Sequence, residues 1–200
     1  HYKIVTGVII ISIPIVLVLG YYVSQPNNKI LHGYQYLRIV GFFQEDNAKA
    51  KDLRYQQENS LLAIGSGGLT GKGLDNNDIT SVKNGNLISE SHTDFIFTIV
   101  GEELGFIGGA AVIILLLLIV LECFITGSRA PTYSGRLFCY GFGVLIGTQT
   151  LVNIAVATML LPNTGVTLPF VSYGLTSLLS LYFGIGVVLN IGLQRTKAML

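Results

Sequence analysis

Tryptophan is absent from this 200-residue sequence, and cysteine occurs twice, at Cys123 and Cys139. Two cysteines with no CxxC spacing exclude a disulfide framework and a cysteine-based zinc site. Both lie in or beside apolar segments and read as small buried hydrophobes. Charge is scarce as well. Asp, Glu, Lys and Arg make up 12% of the residues, against about 25% in an average soluble domain. A formal net charge of +1 carries no basic excess to hold a polyanion, and no nucleic-acid partner is expected. No internal repeat or low-complexity tract is visible either.

What is present is apolar. Half of the residues are hydrophobic and 24 are glycine, and the mean hydropathy is +0.61. These values indicate an all-α integral membrane protein. The stretches 4–23, 104–126, 137–161 and 170–193 are long enough as helices to cross a bilayer core of ~30 Å, which takes about 20 residues. Glu122 is the only charge inside them, and Pro14 interrupts the first. The chain opens at "HYKIVTG", directly before an apolar run, which reads as part of a longer chain. Tyr2, Tyr21, Tyr22, Tyr133 and Tyr140 lie near proposed span ends, where Tyr serves as an interfacial anchor.

Charge position gives a topology. Four spans put both termini on one side, and short basic flanks mark the cytoplasmic side. Lys3, the linker with Arg129 and Arg136, and Arg195 with Lys197 are those flanks. The segment 24–97 and the short loop 162–169 then lie outside. Ten of the eleven acidic residues fall between Glu45 and Glu103. A loop as long as 24–97 is usually functional or disordered, and "GYQYLRIVGFF" and "YQQENSLLAIG" predict short amphipathic helices at the outer surface.

Three motifs invite a chemical reading. "AIGSGGLTGKGL", 63–74, is glycine-rich, but Gly71-Lys72 is followed by Gly73, and Ser66 stands where a Walker loop needs its first glycine. The nucleotide reading fails. A flexible backbone with Lys72 as a point charge remains, beside the plainer reading of a tight loop packed at the membrane surface. "LPNTGVTLPFVSYGLTSLL", 161–179, reads as a re-entrant segment or as a turn followed by a small-residue packing face. Gln149 and Asn153 share a helical face and serve either helix packing or a substrate path.

The stretch "SESHTDFIFTIVGEELGFIGG", 89–109, places His92, Asp94, Glu102 and Glu103 at the mouth of a span. Plainer roles exist: a first-turn acid favoured by the helix dipole and a solvated histidine. Eight residues of helix rise ~12 Å, beyond the ~5–10 Å separation of a working carboxylate pair. The pattern therefore suggests one working acid.

"YQQENSLLAIGSGGLTGKGL", "HTDFIFTIVGEELGFIGG" and "LVNIAVATMLLPNTGVTLPFVSYG", in this order and spacing, resemble the SEDS family, the FtsW/RodA/SpoVE group of bacterial shape, division and sporulation proteins. The resemblance runs from about Tyr36 to Arg195. It implies that the four spans are the last four of ten, with the large extracellular loop between the seventh and eighth. It implies a peptidoglycan glycosyltransferase that polymerises lipid II at the outer face of the bacterial cytoplasmic (inner) membrane. The implied partners are a class B penicillin-binding protein, a transpeptidase, and other divisome or elongasome membrane proteins. The essential acid of the "HTDF" motif falls on Asp94.

An α-linked lipid pyrophosphate becoming a β-1,4 glycan inverts the anomeric centre. One displacement then needs a base for the acceptor hydroxyl, a role contributing about 10²–10⁴ in rate and assigned to Asp94. Arg38 and Lys72 are candidates for the pyrophosphate charge. Gln57, Ser60 and His92 are candidates for substrate contact or approach. A divalent cation, Mg or Mn, stays open as cofactor, with no metal ligands assigned. The pattern departs from the family at Ile88 and Ser89, at Met159 and at Leu175, which leaves the subtype open. A lipid II flippase and a scaffold for the penicillin-binding protein are the alternatives.

Overall fold

The computed structural model describes Pro14, Arg38, Phe42, Ser81 and residues 48–74 and 92–198. The expected span at 4–23, most of the loop 24–97 and the departures at Ile88 and Ser89 lie outside the described residues, apart from Pro14, which is helical. Two compact units divide the chain, His1–Arg54 and Tyr55–Leu200. Among the described residues there are helices and irregular segments but no strand.

We number four helices: α1, Ala48–Ser66; α2, Ile96–Ser128; α3, Tyr133–Ala157; and α4, Leu175–Ala198. Among the described residues three segments are long and apolar enough to cross a membrane: Ile96–Ser128, Tyr133–Ala157 and Leu175–Gln194. They are apolar nearly all round, with Phe106, Leu115, Leu151 and Phe183 exposed, as helices bathed in lipid or packed by further spans must be. The chain is thus a multi-pass membrane protein. Thr132 caps α3, accepting from the Gly135 N–H at 3.2 Å, which satisfies one of the orphan donors of a first turn.

The boundaries depart from the apolar runs at three places. α2 begins at Ile96, not near 104, so Glu102 and Glu103 are helical. α3 ends at Ala157, not 161. Its end is a Schellman turn: Leu160 N–H donates to Ala155 O at 2.7 Å and Met159 N–H to Val156 O at 3.1 Å, with Met159 left-handed at φ 59°. This is the position where glycine is favoured. α4 begins at Leu175, not 170, because 163–174 is irregular and Phe170 is also left-handed, φ 61°. Leu175 itself is exposed.

α2 packs chiefly on α3, and α4 touches both. Cys123, Cys139, Phe142, Ile146, Leu181 and Val188 form the core between the three, and both cysteines are buried and free. Phe142 lies so close to Gly184 that a Cβ there would overlap its ring, the small-residue contact expected between membrane helices.

α1 inverts the expected amphipathic arrangement. Leu61 and Leu62 are exposed, whereas Gln57, Ser60 and Ala63 are buried. Its inward stripe meets main-chain carbonyls through Gln57 and Ser60, and the apolar side chains of Phe95 and Val156 through Ala63.

Candidate active site

Gly105 breaks α2. Its φ of 66° and ψ of −164° are outside the helical region, and the i to i+4 bonds across it are replaced. Lys72 N–H donates to Glu102 O at 3.0 Å and Gly73 N–H to Glu103 O at 3.0 Å. From the other side of the break, Phe106 N–H donates to Gly68 O at 2.9 Å and Ile107 N–H to Leu69 O at 3.2 Å. The glycine-rich loop is therefore spliced into the span. It satisfies the two carbonyls and two N–H groups that the break sets free, as buried backbone at membrane depth requires.

Close approach explains the glycines. A Cβ on Gly71 would lie 2.7 Å from Gly105 N and overlap the Glu103 carbonyl, and one on Gly67 would overlap the Gly101 carbonyl. The Lys72 side chain follows its backbone into the splice. Its Nζ meets Glu102 Oε1 at 2.8 Å, with Glu102 4% exposed. A carboxylate that far from water needs such a partner.

At the N-terminal end of α2 the turn 92–95 is held by its main chain. Three successive carbonyls each accept one bond. His92 O accepts from Tyr173 N–H at 3.0 Å, Thr93 O from Ser172 Oγ at 2.7 Å, and Asp94 O from Asn153 Nδ2 at 2.7 Å. Ser172 Oγ in turn accepts from Leu168 N–H at 2.7 Å, and the second Nδ2 hydrogen of Asn153 goes to Val166 O at 2.7 Å. Phe95 is fully buried beside Ala63 and Val156 and anchors the turn from below. Asp94 is half-buried and lies one residue before Phe95, the N-cap of α2.

A third set of bonds joins α1 to this end. Gln57 Nε2 donates to Val156 O at 3.0 Å and Leu161 O at 2.9 Å. Ser60 Oγ bonds Thr98 Oγ1 and donates to Ala157 O at 2.8 Å. Val156 and Ala157 belong to the last turn of α3, and Leu161 lies in the irregular segment that follows it.

The expected site residues are thus distributed as follows. Asp94 and His92 share the clamped turn, with His92 exposed. Gln57 and Ser60 are buried with their donors directed at main chain, an arrangement that supports the helix ends. Lys72 is paired with Glu102. Arg38 is helical, half-buried and part of the first unit. Among the described residues no three His, Cys, Asp or Glu side chains gather as a metal site; these residues do not supply a ligand set, and no step below runs through a metal.

Two contributors were not singled out by sequence reasoning. Ser172 and Tyr173, in the "SYG" tripeptide, bond the acidic turn. A hydroxyl residue between Pro169 and Gly174 in an apolar segment was the available signal, since such a group must find a partner. Glu102 could have been matched to Lys72 on the same ground.

A broken span sealed by a glycine-rich loop, with an acidic turn clamped at the N-terminal end of that span, defines a polytopic membrane protein with a candidate site at one end of its helices. Comparison gives the family. Residues 2–197 match the family model described as cell cycle protein, the FtsW, RodA and SpoVE family, and the chain belongs to that family. It is 40% identical over 143 residues to the probable peptidoglycan glycosyltransferase FtsW of Enterococcus hirae, covering 72% of this chain and 35% of that protein. The probable peptidoglycan glycosyltransferase FtsW of Pseudoalteromonas translucida is 34% identical over 195 residues, 95% of this chain and 46% of that protein.

Two solved structures are similar. One, described as structural coordination of polymerization and crosslinking by a peptidoglycan synthase complex, aligns with a TM-score of 0.68 at 28% identity, covering 95% of this chain and 49% of that one. The other, a variant of the Thermus thermophilus rod shape determining protein RodA, aligns with a TM-score of 0.50 at 25% identity, covering 88% of this chain and 62% of that one. The chain spans less than half the length of these two FtsW relatives.

Proposed function

We propose that the protein is a peptidoglycan glycosyltransferase that polymerises lipid II, with Asp94 as its general base. The observation that carries the reading is the fixed main chain of His92-Thr93-Asp94, three carbonyls held by three donors. A base must be presented at a set height and angle to the hydroxyl it deprotonates, and this turn has its backbone fixed while the carboxylate stays half-exposed. Similarity to proteins named peptidoglycan glycosyltransferase supports the reaction class.

In this mechanism Asp94 takes the proton of the acceptor sugar hydroxyl as that oxygen attacks the anomeric carbon of the donor. The bond to the lipid pyrophosphate breaks in the same displacement, and the anomeric centre inverts. His92, exposed two residues away, flanks the approach. Lys72 stabilises the buried Glu102 and so holds the splice beneath the turn.

The site faces the outside of the bacterial cytoplasmic membrane. Arg129 and Arg136 flank the α2–α3 linker, at the far end of α2 from Asp94, and short basic linkers stay cytoplasmic. A class B penicillin-binding protein is the partner that would crosslink the product, a role in keeping with the peptidoglycan synthase complex that the fold resembles.

Lipid II in detergent separates polymerisation from transport, because no bilayer is left to cross. The full-length protein with its transpeptidase partner is expected to convert detergent-dispersed lipid II into glycan strands resolved on a gel. Absence of strands from folded complex would point to the flippase or scaffold alternative.

A further inference from the structure

The loop between α3 and α4 is bonded directly to the acidic turn at two places, Ser172 Oγ to Thr93 O and Tyr173 N–H to His92 O. Asn153 is the hub. It is 0% exposed in an apolar helix, where an amide is costly unless it is bonded. A packing asparagine would join helix to helix. Asn153 instead spends both Nδ2 hydrogens on irregular backbone, Asp94 O on one side and Val166 O on the other. Its Oδ1 is buried and has no hydrogen-bond partner, so the two donors alone orient it. Ser172 repeats the link one residue earlier, bridging Leu168 N and Thr93 O. The 166–173 segment and the 92–94 turn therefore move as one piece, through these two side chains and the Tyr173 N–H.

We propose that Asn153 and Ser172 are positioning residues that set the height of the Asp94 carboxylate by fixing its main chain to the α3–α4 loop. The proposal rests on the reading of Asp94 as base. Neither residue need touch substrate; both act through the 92–94 backbone. A displacement of ~1 Å at a reacting group costs about 10²-fold in rate, so loosening the clamp lowers turnover more than it weakens substrate binding.

The test uses the full-length protein with its transpeptidase partner and lipid II. Asn153→Asp keeps the shape, removes both donors and places a carboxylate against two carbonyl oxygens. Ser172→Ala is the milder second variant. For folded Asn153→Asp the expected result is a kcat reduced by about 10–10²-fold with KM changed by less than about threefold. A smaller kcat loss of the same kind is expected for Ser172→Ala. Wild-type kcat in folded variants, or a raised KM at unchanged kcat, overturns the proposal; if Asn153→Asp does not fold, Ser172→Ala decides by the same criterion. Asp94→Asn is run beside them. Wild-type turnover in Asp94→Asn removes the base reading and the positioning role together. An inactive Asp94→Asn with fully active Asn153→Asp and Ser172→Ala removes the positioning role alone.

Discussion

Replacing Gly71 by Ala should cost far more than the same change at Gly65 or Gly68, which have open space around them. A Cβ at Gly71 would sit 2.5 Å from the Glu103 carbonyl carbon and 2.7 Å from Gly105 N, at a backbone φ of +79°. Those are main-chain atoms and cannot swing away, so the loop must withdraw from the break in α2. Withdrawal exposes the four splice bonds at Glu102, Glu103, Phe106 and Ile107. At about 1 kcal/mol net for each bond, the loss is roughly 4 kcal/mol, and desolvated groups left unpaired would raise it.

Gly68 has φ +56° but open space around it, so Gly68→Ala carries only the left-handed penalty of about 1–2 kcal/mol. Gly65 is helical with nothing near, and Gly65→Ala should gain about 0.5–1 kcal/mol. The assay is retention of the monodisperse peak of detergent-solubilised full-length protein after a temperature ramp. The predicted order of midpoints is Gly65→Ala at or above wild type, then Gly68→Ala, then Gly71→Ala well below. Gly71→Ala melting with Gly68→Ala would refute the splice.

Lys72→Met removes the cation that Glu102 meets at 2.8 Å. Breaking a buried pair costs ~3–5 kcal/mol, and since Lys72 is 27% exposed the lower end is expected; thermal midpoints of Lys72→Met and of Lys72→Met with Glu102→Gln check it, the double variant recovering part of the loss. Met159→Gly relieves a left-handed non-glycine residue at the end of α3, and a gain of about 1 kcal/mol is expected in the same melting assay.

The three described spans were legible because their apolar runs are long and nearly free of charge. Their ends were less so. "GEEL" reads as the edge of a membrane segment, and α2 runs through it because Lys72, thirty residues earlier in the chain, neutralises Glu102. "TMLLP" is apolar enough to prolong α3, yet Met159 turns left-handed there. "PFVSYG" looks like the start of α4 and instead forms the backbone of the clamp. Gln57 and Ser60 were read as candidates for substrate contact on a surface amphipathic helix. Their bonds run to main-chain carbonyls in and after the last turn of α3, which no residue pattern announces. Asp94 was singled out through its motif, and its main-chain carbonyl is held by Asn153. The splice was not, because its bonds are main chain to main chain and leave only glycines as a trace.

Turnover of Asp94→Asn by the full-length protein with its transpeptidase partner, at saturating lipid II, tests the central claim. Asn keeps the size and the main-chain clamp but cannot take a proton. The account predicts folded complex with polymerisation slowed by about 10²–10⁴-fold. Strand synthesis within about threefold of wild type would contradict it.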